Sequence, residues 1–285
     1  MRSVFFGGAA IACAVLSVCR ASAAPVDYGH VGDFNVCDDR RVNLDERIRK
    51  CKDYLTQGGL GAHDNGAALN NLGLAYLEKG DKQNAPDSYN MAIKLYPQAW
   101  FAYANRANLY AVDGKLDLAL SDYNSAATLG PDDYRVLTMR GHFYGLKGDY
   151  ARAMADYDVA LKLAPDKGFL WNDACWERAL ANTDLVTAET QCKRAVALQQ
   201  GKADPMDSLG FVQFRQGRLA DAHATYDAVL ALNDKEASSL YMRGIIKRRT
   251  GDAAGGDADI EAAEALDPKV ATTFAGYGVS RVPHP

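Results

Sequence analysis

From residue 66 to residue 270, apolar stripes at helical spacing alternate with short polar breaks, and the whole pattern returns every 34 or 35 residues. The clearest mark of the period is a ladder of leucines: Leu95, Leu129, Leu163, Leu198, Leu232 and Leu266, spaced 34, 34, 35, 34 and 34 apart. A unit that repeats so strictly is one supersecondary element copied along the chain. Each copy holds two apolar stripes separated by a turn. The pattern therefore predicts six helical hairpins, over 66–99, 100–133, 134–167, 168–202, 203–236 and 237–270.

The breaks are chemically explicit. Lys79-Gly80-Asp81, Asp113-Gly114-Lys115, Lys147-Gly148-Asp149, Gln216-Gly217-Arg218 and Thr250-Gly251-Asp252 each place a glycine where a helix ends. Glycine tolerates the left-handed backbone of that position, and a following aspartate can cap the next helix. Pro97, Pro131, Pro165 and Pro268 close four of the six units, since the residue before a proline is pushed out of helix. The 35-residue step falls in the fourth unit, near Asn182-Thr183-Asp184, where an insertion in a turn costs little. Pro86 sits early in the second stripe of the first unit and predicts a late or irregular helix start.

Numbering each unit from its first residue exposes further regularities. The eighth place is small: Gly73, Ala107, Gly141, Cys175, Gly210 and Gly244. The twentieth is Ala85, Ala119, Ala153, Ala188, Ala222 and Gly256. The twenty-fourth is tyrosine in four units: Tyr89, Tyr123, Tyr157 and Tyr226. Small residues let the two helices approach, and the tyrosine fills the gap that remains. Before the repeats, Asn43-Leu44-Asp45-Glu46 resembles a capping box and predicts a helix to about Gln57 that covers the first hairpin. After them, a short helix is expected over 270–275, with Phe274 or Tyr277 closing the last core and a loose tail from Gly278.

This pattern resembles the tetratricopeptide repeat (TPR) family over about residues 66–270. The exported members from alphaproteobacteria are similar in texture, with a leader, an early cysteine helix and runs such as Ala155-Asp156-Tyr157-Asp158. The resemblance implies an all-α, right-handed α-solenoid of about six hairpins with N- and C-terminal capping helices. It also implies a scaffold for protein or peptide partners. In the family, places two, five, nine and twelve of the first helices line a concave groove. Carried over to this chain, the candidate groove residues are Phe101, Asn108, Arg135, His142, Phe169, Asn172, Trp176, Phe211, Phe214, Tyr241 and Arg248, joined by Asn105 at place six. The aromatics suit a binding face; the alternative is that several pack between hairpins or under the C-terminal cap. The family's best-known clamp for a terminal carboxylate uses lysines, an arginine and asparagines. Here Asn70, Asn71, Asn105, Asn108 and Arg135 are present, but Leu74, Leu77 and Met139 stand where lysines would be needed.

The beginning of the chain adds a compartment. Arg2, an apolar stretch over 4–18 and the Ala21-Ser22-Ala23 pattern read as a signal peptide over 1–23, which places the mature protein in the periplasm. The apolar stretch is shorter than the roughly 20 residues a membrane helix needs. Removing Arg2 and Arg20 lowers the basic count from 32 to 30 against 36 acids, which offers no basic footprint for nucleic acid. Four cysteines remain, and an even number in an exported chain suggests disulfides. Cys175 and Cys192 occupy the eighth and twenty-fourth places of one unit, which face each other across the hairpin. That pairing is expected, and by elimination so is Cys37 with Cys51.

No pattern for chemistry stands out. His30, His63, His142, His223 and His284 form no metal-protease motif, and no phosphate loop, nucleophile elbow or dinucleotide fingerprint is present. Asp252, Asp257 and Asp259 lack the glycine and final glutamate of a calcium loop and read as a solvated helix face. No cofactor, metal or catalytic residue is expected. The function expected is partner binding through the groove, with self-association through the convex face or the cap as the alternative. The run Arg243, Lys247, Arg248 and Arg249 reads as a solvated face or a contact for an acidic partner.

Overall fold

The computed structural model describes residue 37, residues 41–57 and residues 61–281. The signal peptide read over 1–23 lies outside them. The described residues form fourteen helices and no strand. They run α1 (Leu44–Thr56), α2 (Ala62–Lys79), α3 (Asn84–Leu95), α4 (Trp100–Val112), α5 (Leu116–Leu129), α6 (Tyr134–Leu146) and α7 (Tyr150–Leu163). Then follow α8 (Gly168–Ala181), α9 (Leu185–Leu198), α10 (Asp204–Arg215), α11 (Leu219–Leu232), α12 (Ala237–Arg249), α13 (Ala253–Leu266) and α14 (Val270–Gly276). No described helix is long and apolar enough to cross a membrane. The chain divides into two compact units, one ending at Lys147 and one beginning at Gly148. The first holds α1–α6 and the second α7–α14.

The turns follow the sequence closely. Gly80, Gly114, Gly148, Gly217 and Gly251 all have positive φ, between 73° and 102°. In the first hairpin the Gly80 amide donates to the Leu77 carbonyl and the Asp81 amide to that of Tyr76, which satisfies the carbonyls left open at the end of α2. The fourth hairpin turns without glycine: Asn182 and Asp184 adopt φ of 51° and 43°. Both residue types tolerate this region, and Asp184 also accepts from the Thr187 amide to start α9. Pro86 shifts α3, which begins at Asn84, two places later in the repeat than α5 at Leu116. The Asp81 carboxylate accepts the amides of Gln83 and Asn84 in the gap.

Within each hairpin the eighth and twenty-fourth places meet. A Cβ on Gly73 would stand 2.6 Å from the Tyr89 ring, and one on Gly210 would stand 2.9 Å from the Tyr226 ring. Both tyrosines are fully buried. In the fourth hairpin Cys175 and Cys192 take these places with their Cα atoms 5.4 Å apart, and Cys37 and Cys51 lie 4.8 Å apart. Both separations fall in the range a disulfide spans.

A second regularity went unread in the sequence. Arg106, at the seventh place, grips Asp122 on its own second helix through two bonds of 2.7 and 2.8 Å. It also reaches Asn90 on the preceding hairpin at 2.7 Å. Arg243 repeats this with Asp259 (2.7 and 2.8 Å) and Asp227 (2.9 Å). Arg140 reaches Asn124 in the same way at 3.1 Å. In the fourth hairpin the arginine has moved one turn, to Arg178, yet it finds the equivalent acceptors, Gln191 and Asp158. The acceptors are the residues that flank the twenty-fourth place, so the Asp-Tyr-Asp texture is one tyrosine for the hairpin and two acceptors for neighbouring arginines. The signal was present in sequence as an arginine at the seventh place of three units, Arg106, Arg140 and Arg243.

The expected solvated faces need correction on the same ground. Asp259 is buried beneath Arg243 and Lys247, whose ion pairs hold its carboxyl below the usual range despite burial. Asp257 pairs with Arg248 and Arg281, and Asp252 caps α13. The basic run on α12 is thus largely neutralised by the chain itself.

Candidate functional site

The residues carried over to a groove divide by unit. In the first unit they make a polar seam. Asn105 donates to the Asn70 carbonyl oxygen at 2.8 Å across α2 and α4, and both residues are buried. Asn108 accepts from the Tyr123 hydroxyl. Arg135 is held by Asp133 through its Nε at 2.8 Å and lies over the Trp100 ring, 4.9 Å from the centroid. Phe101 is buried against Trp100 and so presents little surface. His142 is half-buried.

In the second unit the same places are aromatic, and the structure fills them with the chain's own end. Helix α14 lays Phe274 against Phe211 (6.2 Å between centroids) and stacks it on Tyr241 (5.2 Å). Tyr277 meets Trp176 edge-on at 5.6 Å and Phe211 at 6.4 Å. Phe211 and Tyr241 are buried beneath it, and Phe214 is buried beside Phe211 and Arg249. Three of the expected surface aromatics are therefore interior, two of them because a helix read as a cap for the last core reaches back over α8 and α10 as well.

The part of the tail that is described, Gly278 to Arg281, is held against the second unit, contrary to expectation; residues 282–285 lie outside the described residues. Gly278 turns the chain with φ of 74°, the Gly278 amide donates to the Ala275 carbonyl and the Val279 amide to that of Phe274 at 2.9 Å. This closure of a helix end tucks the residue after the glycine inward, and Val279 is 0% exposed. The Gly-Val pair after the helix was the missed signal. Arg215 donates to the Tyr277 carbonyl, a cation on the negative end of α14, and stands 4.9 Å from the Phe211 centroid. Arg281 pairs with Asp257 at 2.7 Å. Burial raises the Tyr277 hydroxyl pKa, with the Glu177 and Tyr150 charges adding to it, and burial lowers that of Arg215.

The fourth hairpin keeps an open stretch. On α8, Phe169 is 42% exposed, Trp176 is half-buried, and the Asn172 carbonyl oxygen is buried with no hydrogen-bond partner. Arg248 is held by Asp257. On α10, burial pushes the Asp207 carboxyl up to about 6, although Ser239 and Ser238 donate to it; Glu236 and Asp204 add to the rise. Among the described residues no group of three or more histidine, cysteine or acidic side chains could hold a metal ion.

Hairpins of this design, stacked through small-residue contacts and arginine clamps, define an α-helical repeat protein. Comparison with known proteins gives the family. The tetratricopeptide repeat model matches residues 57–99, 104–167 and 209–271, more than half of the chain, and the chain belongs to that family. A tetratricopeptide repeat protein from Parabacteroides merdae is 21% identical over 83% of this chain and 93% of its own, with a TM-score of 0.61. PilW, a type IV pilus biogenesis factor, is 22% identical over 73% of this chain and 98% of its own, with a TM-score of 0.65. YrrB, a TPR protein with an unusual peptide-binding site, is 20% identical over 68% of this chain and 100% of its own, with a TM-score of 0.51. At these identities the likeness is one of fold. No curated protein matches the chain. TPR proteins are in general non-enzymatic scaffolds that bind protein partners.

Proposed function

We propose that this chain is an exported scaffold that holds an extended protein or peptide partner on the first-helix faces of its hairpins. The observation that carries the reading is the open stretch of α8. An exposed Phe169, a half-buried Trp176 and an unpartnered buried Asn172 oxygen lie at places two, nine and five of one hairpin. The aromatics beside it supply the apolar contact that typically dominates such interfaces. The six-hairpin division, the groove residues and the leader over 1–23 belong to this proposal. The two close cysteine pairs support an oxidising compartment.

A photocrosslinking residue at Phe169, expressed in the native host, should capture a discrete partner, while the same residue at Val186 on the second-helix face should not. Equal capture at both positions, or none at Phe169, would count against the groove reading. Unreduced, alkylated mature protein should begin at Ala24 and carry no alkylated cysteine. A second reading, self-association, draws on exposed apolar side chains of second helices: Leu118, Val186, Met91 and Val159. A monomer in light scattering at about 100 times the Kd expected of a micromolar dimer removes it.

A further inference from the structure

We infer that Asp207, with Asp204 and Glu236 beside it, forms a binding site for one positively charged side chain of the partner, a lysine or an arginine, at places two and five of the fifth hairpin. The inference rests on the partner-binding reading above and specifies its chemistry.

Elsewhere the second unit gives its acids cations. Asp259 pairs with Arg243 and Lys247, Asp257 with Arg248 and Arg281, and Glu189 with Lys193 and Arg218. Asp204, Asp207 and Glu236 are different. Among the described residues no lysine or arginine pairs with any of the three, yet the charges of Asp204 and Glu236 both act on Asp207. The side chains that donate to Asp207 are neutral, the hydroxyls of Ser238 (3.2 Å) and Ser239 at the start of α12. Burial pushes the Asp207 carboxyl up to about 6, whereas the cations over Asp259 hold that carboxyl below its usual range. A carboxylate drawn out of water without a cation is costly, and a cation brought by a ligand removes that cost. Asp207 keeps part of its surface, so a group from outside can reach it.

A second, independent group points to the same place. Tyr226 is 0% exposed, and its hydroxyl has no hydrogen-bond partner. Its ring ends against Gly210, one turn along α10 from Asp207; a Cβ there would stand 2.9 Å from the carbon that carries the hydroxyl. Burial raises the Tyr226 pKa, and the charge of Asp207 adds to the rise. In the second hairpin the corresponding Tyr123 hydroxyl donates to Asn108 at place nine. In the fifth that place is Phe211, which offers no acceptor. The hydroxyl is left over on the inner side of the acidic group. An ammonium or guanidinium group carries several donors on one cation, and so suits a carboxylate backed by an unmet phenol oxygen. A metal ion does not suit it, since among the described residues no three acidic, histidine or cysteine side chains converge closely enough to hold one. Places two and five of the preceding hairpin are Phe169 and Asn172, so one extended partner can cover the aromatic stretch of α8 and the acidic site in turn.

The probe is a library of random nine-residue peptides displayed on phage and panned against the full mature chain. Selected peptides should share a lysine or arginine at one fixed position. A fluorescein-labelled synthetic copy of a selected peptide, read by anisotropy, should bind at least ~10-fold more weakly when that residue is norleucine, and likewise on Asp207→Asn protein. The asparagine keeps the shape of the site and an acceptor for the serines, so native helicity of this variant separates lost binding from lost folding. Glu261→Gln removes the same charge from an exposed place on α13 and should leave the affinity unchanged. Equal losses in the two variants would make the attraction a property of overall charge and overturn the inference. Peptides that bind and crosslink at Phe169 without a fixed basic position, or with an affinity that Asp207→Asn does not move, overturn this inference alone and leave the scaffold reading standing. A library that yields no binder overturns both.

Discussion

The two units solve the same surface problem with different chemistry. At places five and six of the first unit stand Asn70 and Asn105, bonded to each other across adjacent helices. At places five and nine of the second stand Asp207, Phe211 and Tyr241, with Phe274 of α14 laid over the two rings. The two asparagines share one amide hydrogen bond, and amide side chains also tolerate water. A floor of phenylalanine and tyrosine is stable only under a cover. The scaffold of hairpins is common to both units, so the difference lies in what each face must touch.

Five substitutions test this contrast. The largest effect belongs to Phe211→Ala, which removes a fully buried ring from the aromatic floor and should cost about 3–5 kcal/mol, read as a fall in the urea midpoint. Asn105→Ala should cost about 1 kcal/mol, that of one buried amide bond. Equal losses would erase the distinction between the faces. Next come the clamps that the units share. Arg106→Ala should cost about 2 kcal/mol, by leaving Asp122 buried without its guanidinium, and Arg243→Ala less, because Lys247 still pairs with Asp259. The reverse order would show that the units differ in scaffold as well as in surface.

The smallest effect is the most specific. Asp207 has a folded pKa of about 6 against an ordinary 3.8, so its ionisation opposes folding. The stability it contributes is complete below pH 3.8 and is lost as the pH rises through about 6. Asp207→Asn, which gives the place the residue type of the first unit, should raise stability at pH 8 by about 1 kcal/mol and leave it unchanged at pH 3.5. The figure is discounted because Asp207 keeps part of its surface. An unchanged pH profile would remove the strain assigned to that carboxyl.

The sequence made the hairpins plain because their signals are local. Glycine at a turn, proline after a helix and a small residue facing a tyrosine each follow from backbone geometry and one contact. Even the leucine ladder is a local mark: Leu95, Leu163, Leu232 and Leu266 are 40–54% exposed and record where second helices end rather than what fills the core. The pairing of Cys175 with Cys192 was legible for the same reason, as two exceptions at one contact. The aromatic face was half legible. Its residues were found by their places in the repeat, but their burial depends on a segment some 30 to 100 residues away in the chain. Nothing in the period describes that segment, since it stands outside the repeats. The arginine clamps were missed because each joins three helices and appears in sequence only as a scattered charge.

Those clamps also act as a grammar for the order of the repeats. The arginine at place seven reads whatever acceptor the preceding hairpin offers at place twenty-five: Asn90, Asn124 or Asp227. Excision of the second hairpin would bring Arg140 to Asn90, a sentence that still parses. Excision of the fifth would bring Arg243 to the corresponding position of the fourth, which is Lys193, and set cation against cation. Of the hairpins joined by these clamps, the fifth is therefore the one whose excision the charges oppose.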